Sequence, residues 1–128
     1  MRDDTKSWIE YAEENFESAK ILRVSHLFNS YLQNIQQCAE KALKAILIEN
    51  SFKFKKTHSI AELKNILEEN NFRLDLDDED CDFLDTIYLP SKYPVTNVLP
   101  DYESNDEICR KGISIANSLL TFVKQNIK

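Results

Sequence analysis

Gln36-Gln-Cys-Ala-Glu-Lys-Ala-Leu-Lys-Ala-Ile-Leu47 lies inside the most regular periodic stretch of the chain. Phe28, Tyr31, Leu32, Ile35, Cys38, Ala39, Ala42, Leu43, Ile46 and Leu47 recur at three- and four-residue spacing, which sets them on one wide face of an α-helix. Gln33, Gln36, Gln37, Glu40, Lys41 and Lys44 fall on the other face. Ala39, Ala42 and Ala45 are small enough to let a neighbouring helix come close. Glu40 and Lys44, one turn apart, make a pair worth a few tenths of a kcal/mol on a solvated face. Taken alone, the stretch is a long helix with one buried and one wet side.

Similar periods recur on both sides of it. Trp8, Ala12, Asn15/Phe16, Ala19 and Leu22 mark an earlier helix, widened by Ile9 and Tyr11 and capped by Thr5 or Ser7. Ser59-Ile-Ala-Glu62 has the form of a reciprocal capping box, opening a shorter helix through Leu63, Ile66 and Leu67. A short helix follows over Cys81, Leu84, Ile87 and Tyr88. Pro90, Pro94 and Pro100 make Leu89–Tyr102 the one long irregular segment. Ser104-Asn-Asp-Glu107 is a second capping box, before a last helix over Ile108, Ile115/Ala116, Leu119, Phe122/Val123 and Ile127. The expected fold is all-α: an antiparallel up-and-down bundle of four main helices plus a short extra one, in one domain over residues 1–128.

Composition agrees with this. A single glycine and three prolines in 128 residues are too few for the tight turns of an all-β fold or for glycine-rich nucleotide loops. Cys38, Cys81 and Cys109 are an odd number without metal-like spacing and lie in or beside apolar stripes, so they read as core thiols of a reducing, cytoplasmic compartment. Met-Arg-Asp-Asp-Thr-Lys-Ser leads into no apolar region, so no signal peptide is expected. The longest aliphatic run, Ala45–Ile48, is far too short for a bilayer. A net charge of −6 argues against general nucleic-acid affinity.

The residues that could carry chemistry are few. Phe52-Lys-Phe-Lys-Lys-Thr-His58 is the densest basic stretch and ends at a helix N-terminus, whose amides can receive an anion. Lys41 and Lys44 lie one turn apart, and Lys92 and Tyr93 stand in the proline-rich segment. Lys53, Lys55 and Lys56 fit a solvated loop equally well, and His58 fits a local packing role. Asp75–Asp85 holds seven acidic residues, but Asp80 and Thr86 stand where a calcium loop needs glycine and a bidentate glutamate. That stretch reads as acid loaded at a helix start, or as a docking surface for a basic partner. No metal site, resident cofactor, hydrolase nucleophile motif or phosphate-binding loop is indicated.

The order Gln-Gln-x-Ala-Glu-Lys-Ala-x-Lys-Ala-x-Leu over Gln36–Leu47 resembles the signature of the HEPN domain family. Trp8, Ala12 and Ala19 resemble that family's first helix. Thr57-His-Ser-Ile-Ala-Glu-Leu63 is similar to its Thr-His-x-Ile/Leu-x-x-Leu entry to the third helix, and Leu89-Pro-Ser-Lys-Tyr-Pro94 to its Arg-Tyr-Pro element. These landmarks follow one another in the family's order across nearly the whole chain. Some members of the family are ribonucleases marked by Arg and, after four to six residues, His. Here His26 and His58 are the only histidines, both before the proline-rich segment, and Lys92 and Asn97 stand where that pair would be needed. Metal-free RNA cleavage needs a group titrating near neutrality, which asparagine lacks. The resemblance therefore implies a non-catalytic module that binds a nucleotide, or partners a small nucleotidyltransferase in a toxin–antitoxin-like pair. The alternative is a diverged metal-independent ribonuclease. Lys41, Lys44, His58, Lys92 and Tyr93 are the candidate ligand-binding residues, with no catalytic residue assigned. A homodimer is expected too, since Ile9, Tyr11, Leu27 and Ile48 fall outside the best stripes.

Overall fold

The computed structural model describes residues 1–92 and 106–127, with residues 88–92 described by their backbone. Five helices run in the order α1 (Asp3–Val24), α2 (Phe28–Glu49), α3 (Ile60–Glu69), α4 (Asp78–Lys92) and α5 (Asp106–Asn126), and the described residues include no strand. None of these helices is long and apolar enough to cross a membrane.

The second helix is the hub: α1, α3, α4 and α5 all pack on it. Tyr31, Leu32, Ile35, Leu43, Ile46 and Leu47 are fully buried, as the apolar period requires. Gln36, Glu40 and Lys44 on the supposedly wet face are buried too. A helix surrounded by four others has little surface left for solvent, whatever its amphipathic pattern. The same crowding resolves the apolar residues outside the stripes. Ile9 is buried and Ile48 is half-buried, while Tyr11 and Leu27 stay exposed.

Three helices end alike. His26, Ser51 and Asn71 each take a positive φ, at 61°, 55° and 63°. The amide after each donates to a carbonyl five residues back: Leu27 to Leu22, Phe52 to Leu47 and Phe72 to Leu67. This closure normally falls on glycine, because an L side chain strains a left-handed backbone. With one glycine in the chain, histidine, serine and asparagine close the helices instead. At two of these ends the apolar residue that follows folds back over the helix end. Phe52 and Phe72 do so against the core.

The one glycine is used elsewhere. A Cβ built on Gly112 would meet the Tyr31 hydroxyl at 3.1 Å and Ile35 Cγ2 at 3.4 Å, so glycine lets α5 cross α2 closely. Tyr31 is fully buried there, and its hydroxyl donates to the Cys109 carbonyl. Burial raises the phenol well above its usual pKa, so it stays a neutral donor.

Several helix boundaries depart from the sequence expectation. The first helix begins at Asp3 with Arg2 as cap residue, not at Thr5 or Ser7, and Thr5 is buried inside the first turn. Arg2 instead reaches the far end of α2, donating to the Ile48 carbonyl at 2.9 Å and to Ser51 Oγ at 2.9 Å. This ties the start of the chain to the carbonyl-rich end of a helix, where a cation is favourable. The fourth helix is longer than expected and continues through Pro90 to Lys92, taking the first part of the segment read as irregular. The Ser104 cap lies outside the described residues. All three cysteines are buried free thiols; desolvation pushes Cys38 up to about 12 and Cys81 to about 11.

A double-mutant cycle tests the α2–α5 crossing. Gly112→Ala in the parent should lose stability despite alanine's helix propensity, because the Tyr31 hydroxyl is held by its hydrogen bond. In a Tyr31→Phe background the same change should gain up to about 1 kcal/mol. Urea titrations of the four proteins measure it, and equal effects in both backgrounds would show that the hydroxyl does not set the limit.

Candidate functional site

Gln36, Glu40 and Lys44 stand one turn apart along α2, and their burial forces each polar atom to find a partner inside the protein. Glu40 is the centre. One carboxylate oxygen accepts from Lys44 Nζ at 2.9 Å. The other faces His58 Nδ1 at 3.0 Å and accepts from Gln36 Nε2 at 3.3 Å. Gln36 also donates to the His58 backbone carbonyl at 3.0 Å and accepts from Gln37 Nε2 at 2.8 Å. The Lys44 ammonium lies 5.8 Å from the centroid of the Trp8 ring, on α1. Three elements thus meet at one ion pair: α2, the segment before α3 through His58, and α1 through its tryptophan.

Lys41 points differently. It donates to Asn15 Oδ1 at 2.8 Å and lies 5.8 Å from the Tyr11 ring centroid. Asn15 in turn donates to Asn34 Oδ1 at 2.8 Å. Tyr11 is 58% exposed and Lys41, Asn15 and Asn34 are half-buried beside it, so this part of the α1–α2 seam offers solvent an aromatic face edged by a cation and two amides.

Of the five candidates, the fold joins Lys44 and His58 through Glu40 and sets Lys41 on the neighbouring Tyr11–Asn15 cluster. Lys92 is the last residue of α4, described by its backbone, and Tyr93 lies outside the described residues. Lys44 is not a surface partner of Glu40, as an exposed i,i+4 pair would be; both are buried.

The expectation that the amides at the start of α3 could receive an anion is overturned. Asp85, from α4, already fills that position. Its carboxylate accepts from Ile60 N at 2.6 Å, Ala61 N at 3.1 Å and Ser59 Oγ at 3.0 Å. Ser59 Oγ accepts from Glu62 N at 3.2 Å, giving one half of the expected box. The other half is replaced, since the Ser59 amide donates to Thr57 Oγ1 at 3.1 Å. One member of the acidic stretch is therefore an internal cap. Nothing in a linear pattern pairs Asp85 with Ser59, because the contact joins two helices.

The described residues hold no cluster of histidine, cysteine and acidic side chains able to bind a metal ion. They do form a cleft of about 600 Å³ where the α1–α2 turn meets the start of α5. Arg23, His26, Leu27, Tyr31 and Cys109 are among its lining residues. No sequence signal marks it, since Arg23, Tyr31 and Cys109 come from three different helices.

Two stability tests follow. Glu40→Ala strands a buried ammonium and should cost about 3–5 kcal/mol, whereas Glu40→Leu with Lys44→Met should come close to the parent or exceed it. Asp85→Ala should cost about 1–2 kcal/mol through the lost cap on α3. Denaturant midpoints measure both, and a Glu40→Ala protein as stable as the parent would disprove the pairing.

A HEPN domain model matches residues 5–126 of the chain. The structure is similar to that of ST0689, an archaeal HEPN homologue, with 25% identity, a TM-score of 0.63 and 100% of both chains covered. It also has the fold of TT1696 from Thermus thermophilus, with a TM-score of 0.72 and 22% identity over 97% of this chain and 98% of that one. Among curated proteins, "Putative toxin MJ1304" of Methanocaldococcus jannaschii is 36% identical over 64 residues, 50% of this chain and 42% of that protein. The aligned stretch thus spans less than half the length of that relative. A family match running from the first turn of α1 to the end of α5 settles the assignment: the chain belongs to the HEPN domain family.

Proposed function

We propose that this HEPN domain works by binding rather than by cleaving RNA, as the helical half of a toxin–antitoxin-like pair whose other half is a small nucleotidyltransferase. Family membership and the partial likeness to a protein named as a toxin support the pair. The chain's sequence supports the absence of cleavage, because no arginine is followed by histidine at the ribonuclease spacing.

The nucleotide part of the proposal rests on the Tyr11–Lys41 cluster. An exposed ring can stack a base, the Asn15 and Asn34 amides can read its edge, and Lys41 supplies a cation for phosphate. Lys44 and His58 would act at one remove, since Glu40 engages both. Lys92 and Tyr93 remain candidates of the same proposal.

ATP should raise the melting temperature of the parent, and Tyr11→Ala with Lys41→Ala should abolish that shift while leaving the unliganded fold intact. A flat ATP titration of the parent would remove the nucleotide from the proposal. Co-expression with a small nucleotidyltransferase should give a complex that survives gel filtration. RNA cleavage in the presence of EDTA would replace the whole reading with a ribonuclease. A second copy of the chain is the other proposed partner; light scattering that showed a monomer at high concentration would dismiss it.

A further inference from the structure

The cleft beside the α1–α2 turn has a chemistry unlike that of the Tyr11–Lys41 cluster. Its volume of about 600 Å³ is that of a small-molecule site. Its walls include two large apolar residues that the fold leaves in water: Val24 is 79% exposed and Leu27 is 54% exposed. Leu27 follows a left-handed closing residue, as Phe52 and Phe72 do. Those two phenylalanines pack on the core, whereas Leu27 stays exposed over the cleft. The floor is equally apolar in effect. Tyr31 and Cys109 line it, but the Tyr31 hydroxyl already donates to the Cys109 carbonyl and has no proton left for a ligand.

The charged groups around this surface are unequal. Among the described lining residues, Lys20, Arg23 and His26 stand against one carboxylate, Asp106. Asp106 is drawn to Arg110 at 3.6 Å, and Lys20 to Glu17 at 2.6 Å. The Arg23 guanidinium and the His26 ring have no hydrogen bond or ion pair with any described residue. An apolar trough beside a guanidinium that no described carboxylate pairs complements a molecule with an apolar body and one acidic end. A polyphosphate would find one uncommitted guanidinium and an apolar floor, a poor match for several negative charges.

We propose that this cleft binds a small monocarboxylic acid with an apolar body, its carboxylate on Arg23 and its chain along Val24, Leu27 and Phe28. The site is separate from the Tyr11–Lys41 cluster and stands or falls independently of nucleotide binding. Arg23 can grip a carboxylate with two parallel N–H donors, which an alcohol of equal length cannot use as well.

Octanoate, kept below its micellar concentration, is the probe, with octanol and acetate as controls. Titrated into the full chain, octanoate should saturate and shift the backbone resonances of Val24, Leu27 and Ile113, while octanol and acetate bind at least about tenfold more weakly. Arg23→Gln should weaken octanoate by about tenfold with the melting temperature kept. Leu27→Asp, also at an exposed position, should abolish saturation. Octanoate that fails to saturate, or binds Arg23→Gln as it binds the parent, would overturn the proposal. So would shifts centred on Tyr11 and Lys41 instead of the cleft.

Discussion

A carboxylate buried on a helix that four others surround has to be paired where it stands, and Glu40 is such a group. An unpaired charge at that depth would cost several kcal/mol, a large part of a small domain's stability. Lys44 answers it from the next turn of α2, and His58 answers it from the segment before α3. Gln36 closes the arrangement by bonding both the carboxylate and the His58 carbonyl. The path of the chain into α3 is thereby fixed to α2. Trp8 of α1 lies against the same ammonium. Each partner holds its neighbour's geometry, and removing one leaves a buried charge behind.

The rest of the bundle shows the same economy. A chain with one glycine places it at the α2–α5 crossing, where a Cβ would press on a buried tyrosine. Its helix ends are closed by other residues, each followed by an apolar side chain. Asp85 reaches across from α4 to cap α3, so the start of that helix is satisfied inside the protein. Arg2 does the corresponding service at the end of α2. Cations and carboxylates that looked available on paper are largely engaged with one another.

That engagement redirects attention to the surfaces that remain. The α1–α2 seam shows solvent an aromatic ring, a lysine and two amides; the α1–α2 turn shows it apolar side chains beside an arginine. The first is the surface proposed above for a nucleotide, the second the one proposed for an acid with an apolar tail. In a chain of net charge −6, both are local exceptions to an acidic surface.

The sequence by itself determined the helices, their order and the family, because three- and four-residue periods and the motifs at Gln36–Leu47 and Thr57–Leu63 are local patterns. It also placed Ser59 as a cap and the cysteines in the core. It misplaced the start of α1, cut α4 short at the prolines and read Glu40 and Lys44 as solvated. Periodicity reports which face is more apolar; it does not report how many neighbours a helix has. Burial of the α2 polar stripe, the Asp85 cap and the cleft at Arg23 each arise where separate helices meet. Only the tertiary structure could decide them, since packing brings together groups that no sequence spacing relates.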